Sequence, residues 1–130
     1  MDDIKSREDL RLLVEKFFNK ARKDEHLGSV FASAVDDDHW PQHFERVTDF
    51  WNSALFDANS YRGSTFSKHA DLPIEKKHFD RWLHLFSETV NEYFSGPMAE
   101  DCIKRAITMG LLFESKISYL RSNTQLRSIV

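Results

Sequence analysis

The stretch H-F-D-R-W-L-H-L-F-S-E-T-V, residues 78–90, decides how this chain folds. Phe79, Trp82, Leu83, Phe86 and Val90 recur every three or four residues, and Phe94 continues the row. Charged side chains occupy the opposite positions. A helix turns once in about 3.6 residues, so this spacing gathers the large apolar groups on one face. A half-buried strand would alternate with period two, and this stretch does not. A long helix is therefore predicted from near Glu75, stopped by Gly96-Pro97.

The same period extends outward in both directions. Upstream, Ser6 and Asp9 read as a cap with an acidic first turn, followed by Leu10, Leu13, Val14, Phe17, Phe18 and Ala21 at helical spacing. Lys20, Arg22 and Lys23 suit a C-terminal end, which gives a helix over 6–24. Residues 26–35 read as a turn at Gly28 with one or two helical turns. In D-D-D-H, Asp38 is the expected cap, and Pro41 falls in the first turn, where a missing N–H costs nothing. Trp40 and Phe44 lead into a helix ending near Phe56, with Val47, Trp51, Ala54 and Leu55 on one face. His43, Val47 and Phe50 share a face by the same rule. Downstream, a last helix is expected from Pro97 to Tyr119, with Ile103, Ala106, Ile107, Gly110, Leu111, Phe113 and Ile117 inside. The expected organisation is one all-α domain over 1–120 and a loose polar tail over 121–130. Residues 57–73, where Asn59, Gly63, three serines and a final Pro73 break the pattern, read as the connector between two helix pairs.

Composition agrees with a helical, aromatic interior. Eleven phenylalanines and three tryptophans stand against four glycines and three prolines, so turns are few and flat side chains many. A net charge of -3 argues against a nucleic-acid or anionic-membrane partner. The lone Cys102 has no disulfide partner and reads as a small core hydrophobe, which points to the cytoplasm. The N-terminus is charged, and no apolar run reaches the roughly 18 residues of a membrane span. No phosphate loop, dinucleotide fingerprint or zinc-protease motif is present.

Chemistry therefore falls to the six histidines. His26 and His39 read as surface, and His78 and His84 as solvated positions on the polar side of their helix. A zinc site from His39 and His43 lacks a third ligand, and Pro41 intervenes. Two positions differ. His43 shares its face with Val47 and should look inward. His69 lies in the connector, in S-K-H-A-D-L-P (67–73), between Phe66 and Leu72. One imidazole suffices as the protein ligand of a haem, whose pyrroles supply the remaining equatorial ligands. Aromatic stripes supply a flat slot, His43 a polar group on its far side, and Asp71 or a carbonyl a partner to orient His69. A hydrogen-bonded rim or core histidine is the plainer reading of the pattern for both.

The ordered stretches F-F-N-K-A-R-K-D-E-H-L-G-S-V-F (17–31), H-W-P-Q-H-F-E-R-V-T-D-F-W (39–51), Y-R-G-S-T-F-S-K-H-A-D-L-P (61–73) and 78–90 resemble the group III truncated haemoglobins of bacteria. The resemblance implies a truncated-globin, two-over-two helical sandwich around a haem pocket. It implies haem b, with His69 as the proximal iron ligand and His43 at the distal position. It implies Trp82 as an indole donor toward a bound gas, with Phe17, Phe18, Val47 and Trp51 in the distal wall. Leu72, Phe79, Phe86 and Met109 would touch the cofactor, and Arg46 and Lys68 would meet its propionates. The implied partners are a diatomic gas and an electron donor, with nitric oxide dioxygenase or peroxidase-like chemistry in view. A haem-free helical binding module on the same frame is the rival reading. One position departs from the family, which commonly has Phe-Tyr where this chain has Phe17-Phe18. The absent hydroxyl removes a donor to a polarised ligand, worth about 1.5–3 kcal/mol.

Overall fold

The computed structural model describes residues 1–56 and 75–129, with side chains in the last helix as far as Tyr119 apart from Ile117. The described residues form five α-helices: α1 (Arg7–Ala21), α2 (Gly28–Ala34), α3 (Trp40–Phe56), α4 (Lys76–Tyr93) and α5 (Pro97–Ile129). A 3-10 turn, Asp37–His39, leads into α3. The connector expected over 57–73, with His69, Lys68, Leu72, Asp71 and Phe66, lies outside the described residues.

Local chemistry sets the helix ends. Ser6 accepts from the Asp9 N–H at 3.4 Å, and Asp9 in turn accepts from the Lys5 N–H at 2.8 Å, so one orphan donor of α1 and the N–H just before its cap are both used. Pro41 sits in the first turn of α3 as expected. Asp38 does not cap that helix, because the chain winds into it through the 3-10 turn, whose own N-cap is Asp36. Gly96 has φ of 142° beside α5. A Cβ there would lie 2.5 Å from Asp3 Cγ. That close approach lets the Asp3 carboxylate cap α5, accepting from Met98 N–H at 2.9 Å and Ala99 N–H at 2.8 Å.

Packing follows the apolar stripes. α1 lies on α3, α4 on α5, and α1 crosses α4, which gives two layers of two long helices. The core is made by Leu10, Leu13, Val14, Phe17 and Phe18 from α1, Phe44 and Trp51 from α3, Phe86 and Val90 from α4, and Cys102 and Ala106 from α5. Each fully buried Leu, Val or Phe among them contributes about 1.5–3 kcal/mol. The two buried threonines are satisfied within their helices: Thr48 donates to the Phe44 carbonyl and Thr89 to the Leu85 carbonyl, both at 2.6 Å. Outside the core, Arg7 donates to Glu45 at 2.8 Å and to Asp49 at 2.8 Å, and Arg11 donates to Glu45 at 2.7 Å, closing α1 onto α3. Lys20 bridges to Glu88 and Glu92 on α4. Exposed pairs of this kind add little each, and their part is to set register.

Two expectations for α5 fail. Ile107 and Leu111 are 43% and 58% exposed rather than inside. The helix also runs on to Ile129, past the end expected near Tyr119. No described helix is long and apolar enough to cross a membrane.

Candidate functional site

α3 has two inward faces. One, carrying Phe44, Thr48 and Trp51, is buried in the core. The other, carrying His43, Val47 and Phe50, borders a cavity of about 560 Å3. That size falls within the range of small-molecule and cofactor sites. α4 contributes His78, Phe79 and Trp82 to the cavity, and α5 contributes Met109, Gly110 and Phe113. Phe18 reaches it from α1. Leu27, Val30 and Phe31 close it from the α2 side.

The wall is built by aromatic contact. Phe86 lies between Trp51 (centroids 5.1 Å apart, planes at 17°) and Trp82 (5.2 Å, 8°), so the three rings form one stack from α3 to α4. Phe17 meets this stack edge-on, 5.4 Å from Phe86 and 5.8 Å from Trp82. Pairs with such geometry are worth about 0.5–1.5 kcal/mol beyond their buried area. The stack therefore fixes Trp82 in position and with it the indole N–H, a donor with no acceptor capacity.

His43 is held in the same manner. Its ring is edge-on to Phe18 at 4.8 Å and to Trp40 at 5.3 Å, and its Nε2 is fully buried. Arg22 stacks on the opposite partner, its guanidinium 4.4 Å from the Trp40 ring. His43 is thus aimed by aromatic neighbours rather than by solvent.

A buried carboxylate positions the α2 side. Asp24, its side chain 5% exposed, accepts from Arg81 Nε at 2.7 Å, from the His26 N–H at 3.0 Å and from the Leu27 N–H at 3.2 Å. Burial alone would raise its pKa, but the Arg81 guanidinium and the two backbone donors outweigh it and hold the carboxyl below its ordinary range. The turn carrying Leu27 is thereby tied to α4. Gly28 permits that turn, since a Cβ there would stand 2.9 Å from the Arg22 carbonyl oxygen.

Of the residues singled out in the sequence, Phe18, His43, Arg46, Val47, Trp51, Phe79, Trp82 and Met109 all line this cavity. Phe17 and Phe86 stand behind its surface, as the support of the ring stack. His69, Lys68 and Leu72 lie outside the described residues. His26 and His84 are exposed, as read. His39 is 61% exposed yet borders the cavity, where with Asp36 and Asp38 it forms a loose surface cluster.

His78 corrects the sequence reading. It is half-buried and lines the cavity rather than facing water. Its Nδ1 accepts from the Glu75 N–H at 2.8 Å, closing one half of a capping box at the start of α4. Its place at i−4 from Trp82, which the stripe puts on the inward face, was the available signal. Val30, Phe31 and Phe113 were also missed as cavity residues, because short or terminal segments show which side is apolar but not what it faces.

The donor set suits a haem. The cavity offers flat aromatic surfaces for a macrocycle, and imidazole side chains among its polar lining. Cys102 is no rival ligand: it lies in the core away from the cavity, and burial pushes its thiol up to about 12, far from the thiolate a metal takes.

Comparison with known proteins follows the same line. Residues 1–110 match the model of a bacterial-like globin family. A group 3 truncated hemoglobin of Campylobacter jejuni is 31% identical over 115 residues, covering 86% of this chain and 91% of that protein. The crystal structure of a group III truncated hemoglobin from Campylobacter jejuni superposes with a TM-score of 0.83 at 30% identity, covering 90% of this chain and 95% of the other.

Proposed function

The chain belongs to the bacterial-like globins and, within them, to the group III truncated haemoglobins, and from that premise we propose that it binds haem b in the cavity between α3 and α4 and takes up a diatomic gas there. The observation that carries this reading is the aromatic-walled cavity of about 560 Å3, with the buried Nε2 of His43 at one wall and Trp82 held in the opposing stack. In this reading His69 is the protein ligand of the iron, and Arg46, exposed at the cavity edge, meets a propionate together with Lys68.

A bound haem would supply iron chemistry toward oxygen, nitric oxide or carbon monoxide. The chain supplies the surroundings. Phe18, Val47 and Trp51 keep water from the gas side. His43 offers a ring nitrogen that donates or accepts, depending on tautomer, and Phe18 and Trp40 restrict its rotation. Trp82 offers a second donor, fixed by Phe86. Phe18 offers none, so retention of a polar gas rests on His43 and Trp82. Redox use of the same site, as a nitric oxide dioxygenase or in peroxide reduction, is part of the proposal and requires an external electron donor. Cytoplasmic residence is proposed with it, supported by the single buried cysteine.

Replacement of the proximal residue tests the assignment. In His69→Ala, haemin uptake should fall by at least tenfold, and the absorption spectrum of the bound fraction should recover toward that of the parent protein when imidazole is added. Unchanged uptake with an unchanged spectrum would refute the role of His69.

A further inference from the structure

Among the polar groups around the cavity, His78 has its proton position dictated by the fold. Nδ1 accepts from the Glu75 N–H at 2.8 Å. A nitrogen that accepts carries no hydrogen, so in the neutral ring the proton is on Nε2. Nε2 donates to no group among the described residues, and the side chain borders the cavity. The α4 cap therefore leaves this cavity-lining ring a single N–H donor, on Nε2.

The position of that donor indicates its partner. His78 lies about one helical turn before Trp82, about 6 Å nearer the start of α4. Trp82 belongs to the Trp51–Phe86–Trp82 stack, the apolar wall of the cavity. His78 is beyond that wall, half-buried, at the first turn of its helix. A flat macrocycle with carboxylates along one edge places its apolar body against such a wall and its carboxylates toward the donors beyond it.

We infer that His78 is a binding residue for a carboxylate of the prosthetic group, donating from Nε2 while Nδ1 stays committed to the helix cap. The inference rests on the haem reading above and adds to it a contact on α4. The hydrogen bond has a charged acceptor, so its loss should be felt in the rate at which the group leaves.

The test uses the haem-loaded protein and measures transfer of haemin to an excess of an apo-globin acceptor. His78→Gln keeps an acceptor for the Glu75 N–H and an amide donor, and its loss rate should stay within about threefold of the parent. His78→Glu keeps the acceptor, as a capping-box residue does, but removes the donor and sets a negative charge against the carboxylate. Its loss rate should rise tenfold or more. Haemin dimethyl ester, whose carboxylates are masked, should leave the parent and His78→Glu at the same rate. Equal haemin loss from the parent and His78→Glu would overturn the inference. So would a tenfold difference that persists with the ester, since that would report the cap and not the carboxylate. A parent protein that takes up no haemin would instead overturn the haem reading itself, an outcome visible before any rate is measured.

Discussion

The two inward faces of α3 carry similar side chains and end in different surroundings. On one face Phe44, Thr48 and Trp51 are buried against α1 and α4, with aliphatic residues such as Leu10, Leu13 and Val14 completing the core. On the other, His43, Val47 and Phe50 remain half-buried around an open cavity. Aromatic content does not separate them, since both are rich in rings. The difference is what stands across from each face. α1 brings aliphatic residues that fill gaps, and the ion pairs of Arg7 and Arg11 set its register on α3. Across the cavity, α4 presents Trp82, backed by the buried Phe86, and flat surfaces leave a slot when nothing smaller fills between them.

The comparison breaks most completely if the open face is filled. Val47→Trp places an indole in the slot and should abolish one-to-one haemin uptake while leaving far-UV helicity intact, which titration and circular dichroism would show together. Uptake at parental affinity would mean that the slot is not where haemin goes. Next in size is the stack shared by both faces. Phe86→Ala removes a ring that is 2% exposed and touches Trp51, Trp82 and Phe17, and should cost about 3–5 kcal/mol in urea unfolding. A cost near zero would show that the rings do not support one another.

A smaller change sharpens the cavity side alone. Phe18→Tyr adds a hydroxyl to a ring that already lines the cavity beside His43. Oxygen release from the reduced, haem-loaded protein, followed by stopped flow, should slow by about tenfold, as expected for one hydrogen bond to a polarised ligand. An unchanged rate would mean that His43 and Trp82 already satisfy the gas. The smallest effect lies far from the cavity, at the cap of α5. Burial opposes the Asp3 charge, but the Met98, Ala99 and Ile4 N–H groups outweigh it and lower its pKa. A depressed carboxyl stabilises the fold above its unfolded pKa, and that contribution is lost as pH falls through the folded value. Thermal unfolding temperatures of the parent and Asp3→Asn should therefore differ at neutral pH and converge in acid below the ordinary carboxylate range. A gap that stays constant with pH would rule out the charged cap.

Much of this arrangement is legible in the sequence, and the failures have physical causes. The helix over 78–90 was readable because its apolar row is unbroken and its opposite side charged, and α4 runs Lys76–Tyr93 accordingly. The inward aim of His43 followed from its spacing to Val47 and Phe50. α5 was harder. Ile107 and Leu111 read as core because they are apolar, yet no described helix covers them, and periodicity reports a side chain's direction but not whether a neighbour waits there. The continuation to Ile129 was missed because hydropathy weakens after Tyr119. After Gly110, however, the chain contains neither glycine nor proline, and local propensity suffices to carry a helix already nucleated. His78 was misjudged for a related reason. Its polar character suggested water, but a histidine at the third position of a helix can turn one nitrogen to the backbone and leave the other for a cavity.

The most direct measurement is titration of the purified chain with haemin, following the Soret absorption and the tryptophan fluorescence together. Trp51 and Trp82 line the cavity, so uptake there should produce one Soret band that saturates at one haemin per chain while the fluorescence is quenched in parallel. A chain that stays colourless, or a band that grows without saturation and leaves the tryptophans bright, would contradict the account.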